Sequence, residues 1–358
     1  MKTKHLTLLL AAMLVMALGN TAQATILTLS NTSIPAQYTT WADAYAAAQP
    51  GDTIQIMPSP TSYGNMLISK PVTLIGTGHR SINEQGGNER VIVGKIDIES
   101  GGSGSNFIGL DVTSTFYPVQ YHDVSNIVAR KCIFRTYTLF GYNSTGTNWW
   151  YDGNVFAHTS HFLHNSGSNA RALNCKVTNN IFTDGYYIHN LYNSTVEISN
   201  NVFLDSWGGS EASAINGASF LVVRDNIFIG RSFPSVSNST FRNNIIYAEG
   251  VTAVGGTNTD VDNIYANPQF VNYDAATHEG GFTVPEFYNF DFTLDAASSP
   301  VSPGLGAASD GGNIGVKPSF SLFGTPAAPQ ITFFQILTPT VPSQGAVQVQ
   351  IKAESGSN

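Results

Sequence analysis

The chain has 358 residues, of which 42% are hydrophobic and only 11% charged, and its formal net charge is −8. That length suits one extended domain or two ordinary ones. Charge so far below the usual quarter excludes long, charge-laced helices, and an acidic balance with no basic block argues against nucleic acid or an anionic membrane surface as partner.

Residues 1–24, MKTKHLTLLLAAMLVMALGNTAQA, have the form of an export signal. Lys2 and Lys4 supply the positive end, Leu6 to Leu18 the apolar run, and Ala22-Gln23-Ala24 the small-x-small cleavage site. The run is too short to cross a bilayer comfortably. No cysteine follows the cleavage site to carry a lipid, and no later stretch is long and apolar enough to span. The expectation is a secreted or cell-surface protein, with 14 basic and 24 acidic residues left after removal of the signal.

Next comes TTWADAYAAAQPGDTIQI, residues 39–56. Thr40 and Asp43 form a capping box, Trp41, Tyr45 and Ala48 share one helical stripe, and Pro50-Gly51 ends the helix ahead of a first strand.

From about residue 100 a rhythm takes over. An asparagine or its substitute precedes two apolar residues at Asn106, Cys132, Asn154, Asn180, Asn201, Asn226, Asn244 and Asn263. The intervals are 26, 22, 26, 21, 25, 18 and 19 residues. A period in the low twenties with variable length fits a coil of three short strands joined by turns, and excludes fixed-length helical repeats. In such a coil each strand pairs with its equivalents about 4.8 Å above and below. Asn suits a sharp turn because it tolerates the left-handed region, and stacked Asn side chains bond along the axis. Both flanking apolar residues are expected to point into the core.

With these features the chain resembles the right-handed parallel β-helix proteins of the pectin-lyase-like group. The asparagine ladder, the capping helix with the following SPTSYGNMLISKPVTLIGTG (59–78), and NPQFVNYD (267–274) with NFDFTLDAASSPVSPGLGAASDGGNIG (289–315) carry the resemblance, which covers most of residues 26–317. It implies an all-β fold: a single-stranded right-handed parallel β-helix over 25–317, with an N-terminal capping helix. Residues 318–358 alternate as two strands around Pro342–Gly345, a strand pair or a truncated β-sandwich module.

The fold carries many activities, so function must come from side chains. Counting from the ladder makes Leu163, Ile188, Ile215 and Val236 inward. His164, His189, Asn216 and Ser237 then face outward on one side, and Phe162, Tyr187, Ala214 and Ser235 on the other. Phe162, His164, Tyr187, His189 and Asn216, with Trp207 in a nearby loop, form a candidate glycan face, because aromatic faces beside hydrogen-bonding groups suit sugar rings. An enzyme built there would draw on His189 and Tyr187 as base and acid, with Arg171 or Arg224 opposite a uronate carboxylate. The group's lyases hold calcium with clustered acids. Asp184, Asp205, Glu211 and Asp225 make no such cluster, so calcium has no motif here and no cofactor is expected. The paired aspartates of its glycoside hydrolases are also missing. His158, His161 and His164 do not converge if extended, so no metal site is expected. Cys132 and Cys175 stand two coils apart, about 9–10 Å along the axis, beyond disulfide reach, and should be unpaired and buried.

The leading expectation is an exported β-helix that binds, and in one version cleaves, a polysaccharide or cell-surface glycan by lyase or glycoside hydrolase-like chemistry. Its rival is a noncatalytic extracellular rod. The sequence leaves oligomeric state open.

Overall fold

In the computed structural model, the described residues are 24–79, 90–136, 138–140, 143–157, 162–165, 171–183, 188–189, 191, 194–204, 214–230, 235–248, 250–274, 290–317, 330–336 and 349–354. They form a right-handed parallel β-helix. Sheet I has eleven strands, from Ile26–Leu29 to Thr259–Val261; sheet II has eight, from Ile92–Val93 to Ile245–Ala248; sheet III has eight, from Met66–Ile68 to Ser235–Ser237. Each coil runs from sheet I through the ladder turn to sheet II and then sheet III. A three-stranded sheet (Val124–Ser125, Thr145–Thr147, Arg171–Leu173) fills the return to sheet I in the middle coils.

The N-terminal helix Trp41–Ala47 closes one end. Its N-cap Thr40 Oγ1 accepts from Asp43 N–H at 3.2 Å and donates to the Asp43 carboxylate at 2.6 Å. Ala44 and Ala48 are buried, and Trp41 and Tyr45 stack on each other at 4.8 Å against the core. Asp52, at the start of the first full coil, accepts backbone N–H groups of Thr25 and Gln49, both at 2.7 Å.

The ladder is continuous from Asn154 to Asn263. In each rung the Oδ1 of one asparagine accepts both the backbone N–H and the Nδ2–H of its predecessor, as in Asn180 to Asn201 at 2.8 and 3.0 Å. Nδ2 also donates to a carbonyl of sheet I, such as Asn180 to Tyr151 at 3.0 Å. Asn154 through Asn244 are wholly buried, so the ladder satisfies groups that would otherwise be orphaned in the core. Cys132 continues it: its N–H donates to Asn154 Oδ1 at 2.9 Å, and its Sγ accepts from Leu110 N–H at 3.4 Å.

Three expectations need correction. Asn106 is out of register, because it begins a strand of sheet I and pairs with Val128; the ladder slot in its coil is Leu110. The ladder asparagine is also not the left-handed residue. That conformation belongs to the residue before it: Gly109, Lys131, Gly153, Asn179, Asn200, Asp225, Asn243 and Asp262 all have positive φ. The Asn-Asn and Asp-Asn pairs thus split the work, one residue turning the chain and the next bonding along the axis. Finally, only the second of the two following apolar residues points inward. Phe134, Phe156, Phe182, Phe203 and Phe228 stack inside the coil at 4.5–5.1 Å, with interplanar angles of 4–16°.

The first residue of each pair (Ile133, Val155, Ile181, Val202, Ile227, Ile245) belongs to a separate buried cluster outside sheet II. Phe270, Tyr273, Phe292, Leu294, Ala308 and Ile314 join them there. The C-terminal segment returns along the coil as a strap. Its route is marked by successive turn residues: Asn243 donates to Ala307 O (3.1 Å), Asp225 accepts from Ser309 N–H (2.6 Å), Asn200 donates to Gly315 O (3.4 Å), and Asn179 accepts from Lys317 N–H (2.6 Å). Gly315 has φ +90, and a Cβ there would meet Ile227 Cδ1 at 2.6 Å, so only glycine lets the strap lie this close.

Cys132 and Cys175 are free and buried, and burial pushes each thiol up to about 12. Cys175 pairs in register with Val196. Gln330–Ile336 and Val349–Glu354 form an antiparallel pair.

Candidate functional site

Sheet III was the expected ligand face, and its register can be followed strand by strand. Met66, Ile96 and Phe116 form one column, which continues through Thr138, Phe162, Ile188 and Ile215. All of these residues are buried, so this column packs the core. Phe162 is therefore an interior side chain at 0% exposure, not part of an outer face. The count is right that Leu163, Ile188 and Ile215 are buried, and it fails at Phe162 because Leu163 is an extra residue at φ 48, skipped where Thr138 pairs with Phe162 and Leu139 with His164. A second skip at Gly217 (φ 63) lets Asn216 pair with Ser235 and Ala218 with Val236. Ala214, expected outside, is buried as well.

One residue further along each strand lies the neighbouring column. Leu67, Asp97 and Tyr117 are in register at its N-terminal end, and His189, Asn216 and Ser235 at its C-terminal end. His164, which follows the bulge, pairs with Leu139. The backbone of His164, His189 and Asn216 is described; their side chains, and Tyr187, Trp207, His158, His161, Asp184, Asp205 and Glu211, lie outside the described residues.

Asp97 and Tyr117 were not anticipated, although both follow from strand alternation once the coil is known. Lys95 Nζ lies 2.5 Å from Asp97 Oδ2, and the hydrogen bond from Lys95 to that carboxylate raises the lysine pKa. Burial, then the nearby Asp97 charge, raises the Tyr117 phenol. Asp97 Oδ1 is enclosed and has no protein partner. The group thus sets a cation, a carboxylate and a neutral phenol side by side.

The two arginines expected to meet a uronate carboxylate lie on other sheets than His189. Arg171 is exposed on the small sheet and pairs with Thr145. Arg224 is on sheet I, held at 2.6 Å by Glu197 and 2.8 Å by Asp225, with Ser309 of the strap at 3.3 Å. Its guanidinium braces the strap junction rather than standing opposite sheet III.

Sheet I carries a second polar constellation missed in the sequence. Trp149 is buried, whereas Trp150, on the alternate face, supports the Arg130 guanidinium 4.0 Å above its ring. Trp150 Nε1–H donates to Thr178 Oγ1 at 2.7 Å, and that hydroxyl donates to Asp152 Oδ1 at 3.0 Å. Burial raises the Asp152 pKa despite Thr178 and Arg130.

Among the described residues no group of three or more His, Cys, Asp or Glu converges to hold a metal. No described helix is long and apolar enough to cross a membrane. Comparison with protein-family models gave no match, and comparison with curated proteins gave none either.

Proposed function

We propose that this is an exported β-helix protein of the pectin-lyase-like type that binds a polysaccharide along the solvent side of sheet III. The observation that supports this most is that sheet III carries two runs of hydrogen-bonding residues in register, Asp97 with Tyr117 towards one end and His189, Asn216 and Ser235 towards the other. A chain of sugars presents hydroxyls at regular intervals, and a parallel sheet repeats every ~4.8 Å, so one column meets one extended ligand. Tyr117 adds an aromatic ring beside the Lys95–Asp97 pair.

The test is retention of the mature chain on a panel of immobilised neutral and uronate polysaccharides. Tyr117→Ala combined with His189→Ala should abolish retention without moving the melting temperature. Retention unchanged in that variant would remove sheet III from the reading. Following absorbance of unsaturated uronate in the same incubations separates binding from cleavage. A second reading, the noncatalytic rod, is favoured by the unbroken ladder and the strap that seals sheet II. Silence across the whole panel would support it.

A further inference from the structure

The chain as a whole is acidic, with 16 basic residues against 24 acidic. The outer face of sheet I has the opposite balance. From Val128–Arg130 to Thr240–Arg242, the residues Ala129, Tyr151, Val177, Ile198, Val223 and Phe241 pair in register and are buried, so their neighbours on each strand point outward. Those neighbours include Arg130, Lys176, Arg224 and Arg242, against Asp152 and Glu197. Glu197 is bonded to Arg224, which leaves Asp152 as the other outward carboxylate of the face.

The remaining cations gather around Trp150. Its ring carries the Arg130 guanidinium at 4.0 Å, and its Nε1–H is tied to Thr178, so this floor is fixed. Arg130 Nε is enclosed, 3.4 Å from Asp152 Oδ2, while 40% of the side chain stays open. The guanidinium is thus held by one face and one edge, and its two terminal nitrogens are left as donors. Lys176 pairs in register with Trp150 and is exposed. Lys131 follows Arg130 into the ladder turn with φ 51, a slot that Gly153, Asn179, Asn200 and Asn243 fill in other coils. Glycine and asparagine enter that region readily and lysine does not, so the turn itself gives no reason for a cation there.

We propose that Arg130, Lys131 and Lys176 form an oxyanion-binding site on the outer face of sheet I, with Trp150 as its floor, which takes the carboxylate or sulfate groups of an acidic polysaccharide. This rests on the polysaccharide reading above and adds a second flank of contact and a ligand charge. A guanidinium stacked on one face and held at Nε is pre-oriented to grip one anionic group with two parallel donors, and the lysines add flexible charge beside it. A polysaccharide with one anion per sugar suits so small a group of cations better than a duplex with a charge every ~1.7 Å, which the acidic remainder of the chain would repel.

The test measures retention of the full chain and its variants on immobilised uronate, sulfated and neutral polysaccharides and on duplex DNA. Asparagine suits the Lys131 backbone and Lys176 is exposed, so Lys131→Asn and Lys176→Gln should keep the melting temperature, which separates lost binding from lost folding. Each should weaken binding of an acidic polysaccharide by roughly 2- to 3-fold, and the double variant by about the product. Arg130→Lys keeps the charge but not the fork, and should weaken it by roughly 5- to 10-fold. These losses should fade at about 0.5 M salt and be absent on the neutral polysaccharide. Whether they appear on the uronate or the sulfated support names the anionic group. Undiminished binding of acidic polysaccharide in the double variant and in Arg130→Lys overturns this inference alone, as does a wild type that binds only the neutral polysaccharide. Retention on DNA that the variants lose overturns the ligand class. A wild type that binds no polysaccharide overturns the functional reading and this inference with it.

Discussion

Sheets I and II have the same backbone repeat but opposite outer faces. Outside sheet II stand Ile133, Val155, Ile181, Val202, Ile227 and Ile245, all buried. Outside sheet I stand Trp150, Lys176, Glu197, Val222 and Thr240, none of them fully buried. The coil geometry demands neither pattern. What differs is the neighbour: sheet II has the strap, with Phe292, Leu294 and Ile314 packed on it. The outer residues of a solenoid therefore report which flank the chain itself covers, and direct attention to the other flanks for partners.

The sharpest way to break this contrast is to remove a covered outer residue. Ile227→Ala should cost about 2–5 kcal/mol, as a core truncation would, although Ile227 lies outside the coil. Chemical denaturation measures it; a loss below half a kcal/mol would mean the strap is not packed on sheet II. Next in size is the ladder between the two faces. Asn201→Leu strands the N–H groups of Asn180 and should cost roughly 1–3 kcal/mol, and an unchanged denaturation midpoint would contradict the bonding seen here.

Two carboxylates sharpen the contrast through pH. Asp152 on sheet I has a raised pKa, so folding favours its protonated form. Its contribution is full below the ordinary carboxylate range and is lost as pH rises through the shifted value. Asp152→Asn should therefore gain on wild type in melting temperature between pH 3 and 7. Asp52 has the opposite sign: N–H groups of Gln49 and then Thr25 lower its pKa, so its contribution is present at neutral pH and lost on acidification. Asp52→Asn should be weaker than wild type at pH 7, with the deficit closing in acid. Melting curves across pH check both, and slopes of the same sign would refute the assignment. The smallest effect belongs to the open face itself. Lys176→Ala should move stability by no more than about 0.5 kcal/mol, also by denaturation.

The sequence disclosed the coil, the capping helix and the unpaired cysteines because each rests on local chemistry. Thr40 and Asp43 cap in sequence, and Asn180 and Asn201 repeat at a legible interval. It concealed the outward direction of Ile181 and Val202, since a buried outer face and a buried core have the same hydrophobicity. Only the strap, some hundred residues away in sequence, distinguishes them. The candidate face was misread at Phe162 for a different reason. A single extra residue, Leu163, shifts the alternation, and a two-residue period has no tolerance for such a bulge. Trp150 was legible from its neighbour Trp149, but only once the strand was known to have a solvent side.

The strap also governs how the molecule bears load. From Ala307 to Lys317 it runs back across four coils, held in order by Asn243, Asp225, Asn200 and Asn179. A pull on the chain beyond Lys317 meets the Asn179 bond first and the Asn243 bond last. Tension on that side thus peels the strap one contact at a time, while the parallel strands share the same load over many hydrogen bonds and yield later. In a single-molecule trace this is a low-force ramp preceding the rupture of the coils.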